Sequence, residues 1–274
     1  MGGLLVILGI SIALIAAVLA TPWVRRRRRD HLRGEAFPAS WDAILTRNLP
    51  AYRRLSPDLR EQLQQAMKVF LAEKGFIGCD GLAVTEEMRV SIAAQACLLV
   101  ARLGIDRYDH VQSILLYPDT FIATHEDRDE AGVHTVEEKE LGGESWPEGK
   151  VVLSWRDVRD GLAGGAEAYN VVYHEFAHQL DQADGEANGV PLLDDAARYR
   201  RWSTVFAQEY ERLHNALDAD EDTLLPVDAA ESPGEFFAIA TEVFMDKPRA
   251  LRAQHPVLYG ELRNYYRIDP REWS

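Results

Sequence analysis

The sequence contains only two cysteines, and this scarcity excludes a fold held together by a disulfide framework. Cys79 and Cys97 lie in apolar surroundings outside any Cys-x-x-Cys or Cys/His arrangement, so we interpret both as small buried residues in a reducing compartment. Basic residues are also few, since 30 Lys and Arg stand against 44 Asp and Glu and give a formal net charge of -14. We therefore expect no nucleic-acid partner.

One long apolar run stands out from this ordinary globular composition. Residues 2–24 carry no charge and would extend ~34 Å as a helix, enough to cross a bilayer. Arg25 to Arg29 follow at once, and positive charge marks the cytoplasmic end of a membrane span. We therefore predict a transmembrane anchor at 1–24 that contacts the lipid bilayer through residues 2–24, and a basic juxtamembrane connector at 25–40. The expected location is the inner (cytoplasmic) membrane, single-pass, with residues 41–274 in the cytoplasm; the alternative is a cleaved signal peptide.

Residues 41–274 have the pattern of one mostly helical domain with a few strands. Ser56 and Pro57 predict the start of a helix with an apolar stripe, and Ser232 and Pro233 predict another that ends near Met245. Further predicted elements are a helix at 86–103, strands at 113–118 and 150–155, an acidic, irregular or extended surface region at 124–149, and a final helical segment at 250–274. The fold class is therefore α+β.

The predicted helix at about 170–183 carries a group of residues with metal-site spacing. His174 and His178 are four residues apart, so both imidazoles lie on one helix face and can bind one Zn²⁺. Glu175 is adjacent and can reach a water activated by the metal without being a ligand. This arrangement predicts a hydrolytic zinc site with Glu175 as the general base. The alternative is an ordinary surface helix with two histidines and a glutamate.

A zinc site of this kind needs a third protein ligand. Glu235 and Glu242 are the candidates, seven residues apart on one face of the downstream helix. Glu235 could instead form a capping box with Ser232, and Glu242 could be a carboxylate that supports a ligand or is solvated. The spacing alone leaves both candidates open. Asp181 could orient a histidine from behind, or be a solvated carboxylate.

Six segments resemble the Mlc titration factor A (MtfA) family of zinc-dependent peptidases. They are Phe70–Lys74, Ile92–Cys97, Leu115–Pro118, Val152–Trp155, His174–Asp181 and Pro233–Ala238. The resemblance implies a gluzincin-like zincin fold, peptide or protein substrates, one Zn²⁺ per chain and, from the family name, a transcription-regulator partner. It also implies that His174, His178 and Glu235 are the zinc ligands and that Glu175 is the catalytic base, with Glu242 behind the ligands.

The sequence departs from the family at Asp228, where members commonly have a tyrosine that faces the active site. A phenol can donate a hydrogen bond to a developing oxyanion, whereas an ionised carboxylate cannot. We therefore keep two functional predictions: a membrane-anchored zinc metallopeptidase, and a weakly active or inactive zinc-fold protein that sequesters a regulatory partner. For the peptidase we expect the substrate backbone to pair with an edge strand, with residues 150–155 as the candidate and an ordinary buried strand as the alternative.

Overall fold

The computed structural model describes residues 21–128, 134–146, 149–164, 169–185 and 187–274. These residues form a mostly helical α+β fold with a small mixed sheet. The helices are α1 (21–34), α2 (Ala39–Asn48), α3 (Pro57–Glu73), α4 (Glu86–Val100), α5 (Trp155–Ala163), α6 (Val171–Asp181), α7 (Ala196–Asp218), α8 (Pro233–Asp246), α9 (Pro248–Gln254) and α10 (Pro256–Tyr266). Short 3-10 helices lie at Pro50–Arg54, Ile105–Tyr108, Gln182–Asp184, Val227–Ala230 and Pro270–Glu272.

The main sheet has the strand order β1-β2-β6-β5. Its strands are β1 (Gly75–Gly78), β2 (Ser113–Tyr117), β5 (Gly143–Trp146) and β6 (Lys150–Ser154), and a separate antiparallel pair is formed by β3 (Phe121–Arg128) and β4 (His134–Leu141). Strands β1, β2 and β6 run parallel to one another, whereas β5 is antiparallel to β6. In the described sheet β5 is therefore an edge strand.

Helix capping agrees with the signals in the sequence at the helices that matter for the site. The Ser232 hydroxyl accepts a hydrogen bond from the Glu235 backbone N–H at 3.1 Å and so caps α8. The predicted helices at 57, 86 and 233 and the predicted strands at 113 and 150 are all present, with ends within a few residues. The region 124–149 was predicted to be irregular or extended, and it is largely extended, because it contains most of β3 and the strands β4 and β5.

The predicted membrane anchor needs correction. Residues 1–20 lie outside the described residues, and within the described ranges no helix is long and apolar enough to cross a membrane. For the part of the chain that the structure describes, this finding contradicts the predicted transmembrane helix at 1–24, the single-pass inner-membrane location and the bilayer contact through residues 2–24.

The arginine run has protein partners in place of the predicted lipid head groups. Arg29 lies on α1 with only 4% of its side chain exposed and forms ion pairs with Glu73 and Asp109, at 2.6 and 2.8 Å, and with Asp106. Arg25 pairs with Asp109 at 2.8 Å. These contacts attach α1 to the end of α3 and to the loop before β2.

Candidate metal centre and active site

Helix α6 presents one face to the core and another to α8. Val172, Phe176 and Leu180 recur every fourth residue and are fully or almost fully buried. The Phe176 ring packs edge-on against Tyr108 with 5.1 Å between centroids, which fixes the rotation of the helix. The side chain of Asn170 caps the helix by accepting a hydrogen bond from the Tyr173 backbone N–H. His174 and His178 consequently face the first turn of α8.

Three donor groups converge between these two helices. The Nε2 atoms of His174 and His178 lie 3.1 Å apart. The two carboxylate oxygens of Glu235 each lie 3.2 Å from one of these nitrogens, Oε2 from His174 and Oε1 from His178. The three side chains form a cluster that could hold a metal ion.

The spacing of the two histidine donors is close to that of a tetrahedral zinc site. Ligand atoms at ~2.0–2.1 Å from zinc in tetrahedral directions lie about 3.3–3.4 Å from one another, and the two Nε2 atoms are 3.1 Å apart, with a different oxygen of Glu235 at 3.2 Å from each. The capping-box alternative for Glu235 does not hold, because only its backbone N–H takes part in capping while its carboxylate faces the histidines.

The charges of the cluster also favour a cation at this position. Burial lowers the pKa of His174, but Glu235 and Glu242 outweigh this effect and raise the pKa to about 10. Burial raises the pKa of Glu235, yet hydrogen bonds from the two histidines overcome it and hold this pKa far below its usual range. The carboxylate therefore stays ionised and needs either a protonated imidazole or a metal ion beside it.

Glu175 lies next to the edge strand β5 and is only 3% exposed. An ideal Cβ placed on Gly143 of β5 would lie 2.5 Å from Glu175 Oε1, so the glycine leaves the space that the carboxyl group occupies. Burial raises the pKa of Glu175 to about 7, against the opposing effect of the two histidines. A carboxyl group with a pKa near neutrality is suited to accept and return a proton.

Glu242 lies on the opposite side of His174 from Glu235. Its Oε2 accepts a hydrogen bond from the Asn170 backbone N–H at 2.5 Å, and its Oε1 lies 3.6 Å from His174 Nδ1. Within the described residues Nδ1 has no closer hydrogen-bond partner. A carboxylate at this nitrogen favours the tautomer that leaves Nε2 available to a metal.

Asp181 supports the site in a way that neither of its two predicted roles described. It is fully buried, and its Oδ2 accepts a hydrogen bond from the Gly189 backbone N–H at 2.8 Å. Burial raises its pKa. A Cβ on Gly234 would lie 3.4 Å from the same oxygen, so Asp181 sits against the start of α8. It therefore connects the end of α6 to the loop that precedes α7 and to the helix carrying Glu235.

Tyr169 contacts one of the converging donors, whereas Asp228 is not among them. Asp228 is exposed in the 3-10 helix Val227–Ala230 and is not one of the converging donors. Tyr169, which sequence reasoning missed, packs its ring against His174 with 5.0 Å between centroids. The signal was its place directly before the N-cap of α6, but a lone aromatic before a helix rarely indicates a site. Burial raises the pKa of Tyr169, and the charges of nearby carboxylates add to this effect.

The strand predicted to bind substrate must also be corrected. Residues 150–154 form β6, which pairs with β2 on one side and β5 on the other, so β6 has no open edge. The open edge belongs to β5. The Ser154 N–H donates to Gly142 O, and hydrogen-bonded pairs alternate along an antiparallel ladder, so the backbone groups of Gly143 and Ser145 point away from β6.

Comparison with known sequences identifies the family to which the chain belongs. Residues 23–267 match the family described as glucose-regulated metallo-peptidase M90. The uncharacterized protein slr2042 of Synechocystis sp. is 38% identical over 266 residues, which cover 97% of each chain. Mlc titration factor A of Pectobacterium atrosepticum is 33% identical and that of Klebsiella pneumoniae 31%, each covering 84% of this chain and 86% of the relative. The chain therefore belongs to the M90 metallopeptidase family, together with the Mlc titration factor A proteins, and this membership implies a bound metal.

Proposed function

We propose that this protein is a zinc metallopeptidase that hydrolyses peptide bonds with Glu175 as the general base. The observation that carries the proposal is the convergence of His174, His178 and Glu235, with donor separations of 3.1–3.2 Å, beside a buried carboxyl group. Membership of a metallopeptidase family supports the same conclusion.

His174, His178 and Glu235 would hold the zinc ion. Two neutral imidazoles and one carboxylate contribute a single negative charge, so the site keeps a net positive charge. When bound, zinc supplies Lewis acidity, which lowers the pKa of a water at the site to about 7 and polarises the substrate carbonyl. Glu242 would keep His174 in the tautomer that leaves Nε2 unprotonated, since its Oε1 lies 3.6 Å from Nδ1.

Glu175 would move the proton during hydrolysis. Its carboxylate takes one proton from the attacking water while the water oxygen forms a bond to the carbonyl carbon. The same carboxyl group then gives this proton to the leaving nitrogen as the C–N bond breaks, yielding a carboxylic acid, which keeps the second proton of the water until it ionises in solvent, and an amine. A pKa raised to about 7 by burial allows both transfers near neutral pH.

Strand β5 would bind the substrate backbone. The N–H and C=O groups of Gly143 and Ser145 point away from β6, so an extended peptide can add to this edge of the sheet. Gly143 also borders Glu175, so a peptide paired there lies beside the proposed base.

The test is metal analysis of the purified full chain together with cleavage of a mixture of unstructured peptides. We expect about one zinc per chain, lost in His178→Ala and retained in the exposed control His214→Ala. Glu175→Gln should keep zinc but lose hydrolysis by about 10²–10⁴-fold, whereas the exposed control Glu211→Gln should be unaffected. Zinc content that survives both His178→Ala and Glu235→Ala would refute the site, and unchanged turnover in Glu175→Gln would refute the mechanism.

A second candidate function comes from the relatives' name. Mlc titration factor A is named for titrating a factor called Mlc, and an equivalent role here would be binding of a regulatory protein by a weakly active or inactive zinc fold. This candidate predicts a zinc-loaded protein in which no peptide is cleaved and Glu175→Gln changes nothing. The cleavage assay above therefore also separates the two functions.

A further inference from the structure

Tyr169 lies at the boundary between the proposed metal centre and solvent. It directly precedes the N-cap residue of α6, and its ring meets the His174 imidazole at 5.0 Å between centroids and an angle of 53°. The residue is 43% exposed. One side of the phenol thus contacts a proposed ligand, while the other remains accessible to a bound peptide.

The phenol hydroxyl is a neutral donor in acidic surroundings. A phenol with an ordinary pKa near 10 is protonated at neutral pH. The carboxylates of Glu235 and Glu242 lie 3.2 and 3.6 Å from the His174 ring on which Tyr169 packs, so the surroundings of the phenol are acidic.

Peptide hydrolysis is accelerated by such a donor in addition to the metal, because negative charge develops on the carbonyl oxygen in the transition state. The ionised carboxylates of the site can only accept hydrogen bonds. Nε2 of each histidine faces Glu235, and the Asn170 side-chain oxygen is used to cap α6. Tyr169 packs on His174 and carries an O–H group.

We propose that Tyr169 donates a hydrogen bond from its hydroxyl to the oxyanion that develops on the substrate carbonyl. The proposal rests on the peptidase function proposed above. The proton stays on the phenol throughout, so no bond to it is broken. Tyr169 would thus perform the oxyanion role that Asp228, an exposed carboxylate, cannot perform.

The experiment compares the full-length zinc-loaded protein with Tyr169→Phe, which removes the hydroxyl and keeps the ring against His174. The matched control is Tyr117→Phe, which removes a hydroxyl from a partly exposed ring on β2 that stacks on Phe121. We measure kcat, KM and zinc content on one unstructured peptide, and the Kd of a phosphonate peptide that mimics the tetrahedral oxyanion.

Tyr169→Phe should lower kcat by about 10²–10³-fold, leave KM within about threefold and leave zinc content unchanged. The phosphonate peptide should bind more weakly by a factor similar to the loss in kcat/KM, because both report the transition state. Tyr117→Phe should match the wild type in every measurement.

Three results would overturn the proposal, and they differ in what they leave standing. A Tyr169→Phe variant with kcat within twofold of an active, Glu175-dependent wild type would refute the donor role and leave the peptidase function intact. Loss of zinc in Tyr169→Phe would refute the donor role and show instead that the hydroxyl is needed to keep the metal site intact. A zinc-loaded wild type that cleaves no peptide would refute both the function and the role of Tyr169.

Discussion

Replacing Gly143 with alanine would place a methyl group where the Glu175 side chain lies. The new Cβ would be 2.5 Å from Glu175 Oε1, 2.8 Å from Glu175 Cγ and 2.4 Å from Val171 Cγ2. Carbon and oxygen atoms in ordinary contact are ~3.5 Å or more apart, so the carboxyl group must move by roughly 1 Å. We therefore expect Gly143→Ala to displace the proposed base without touching the metal ligands.

The expected consequence is a large loss of turnover with a modest loss of stability. A misplacement of ~1 Å at a reacting group can cost about 10²-fold in rate. Overpacking against Val171 should lower the free energy of unfolding by ~1–3 kcal/mol. Zinc content should stay near one per chain, because the changed residue does not contact His174, His178 or Glu235.

Gly142→Ala is the matched control, one residue away on the same segment. Its Cβ would meet the Asp157 side chain, with Cγ and Oδ2 both at 3.0 Å, and would not reach Glu175. The assay is kcat on an unstructured peptide, with zinc content and Tm measured on all three proteins. A Gly143→Ala protein that keeps zinc and wild-type kcat would refute the view that the glycine sets the position of Glu175.

Two further predictions address the opening of the site and the attachment of α1. Adding Asp228→Tyr to Tyr169→Phe should restore at least about tenfold of the lost kcat, because a phenol at either position can address the same oxyanion; no recovery in the steady-state assay would contradict this. The hydrogen bond from Arg29 lowers the pKa of Glu73 to about 2, so the pair stabilises the fold above the unfolded carboxyl pKa near 4.5 and loses that effect as the pH falls toward 2. Urea unfolding of the metal-free proteins should show that Glu73→Gln costs on the order of 2–3 kcal/mol at pH 7 and much less near pH 3, and a cost independent of pH would contradict the assignment.

The parts of the fold that could be predicted are those with strong local signals. The start of α3 carries Pro57, the start of α8 carries Ser232 and Pro233, and both helices have apolar stripes. Strands β2 and β6 are short apolar runs bounded by polar or glycine residues. In each case the residues that form the element also mark its ends, so no knowledge of tertiary contacts was needed.

Other elements depend on tertiary contacts or carry weaker patterns. Strand β4 reads His134-Thr-Val-Glu-Glu-Lys-Glu-Leu141, which lacks the alternation of apolar and polar residues typical of a half-buried strand. Its strand structure comes from pairing with β3, along eight residues of each strand. Helix α7 was not predicted, although it carries local signals. Asp195 caps it, and Trp202 and Phe206 are four residues apart on its buried face.

The arginine run shows how one pattern can support two structures. An apolar run followed by five arginines has the charge asymmetry of a membrane span. The same arginines, when part of a helix, can pair with acidic residues far away in the sequence, as Arg29 does with Glu73 and Asp109. Which of the two structures forms depends on these distant acidic partners, and the spacing of residues within the run does not identify them.

The difference between local patterns and distant contacts also explains which part of the candidate site could be predicted. The spacing of His174, Glu175 and His178 sets their relative positions within one helix, so their geometry follows from the sequence alone. The hydrogen-bond donor to an oxyanion is constrained in a different way, because the reaction requires an O–H group at a point in space and does not require it on a given element. Residue 169, before α6, packs on His174, whereas residue 228 lies in the 3-10 helix before α8. A carboxylate at residue 228 therefore does not exclude a donor on another element, and in the role proposed above Tyr169 is that donor.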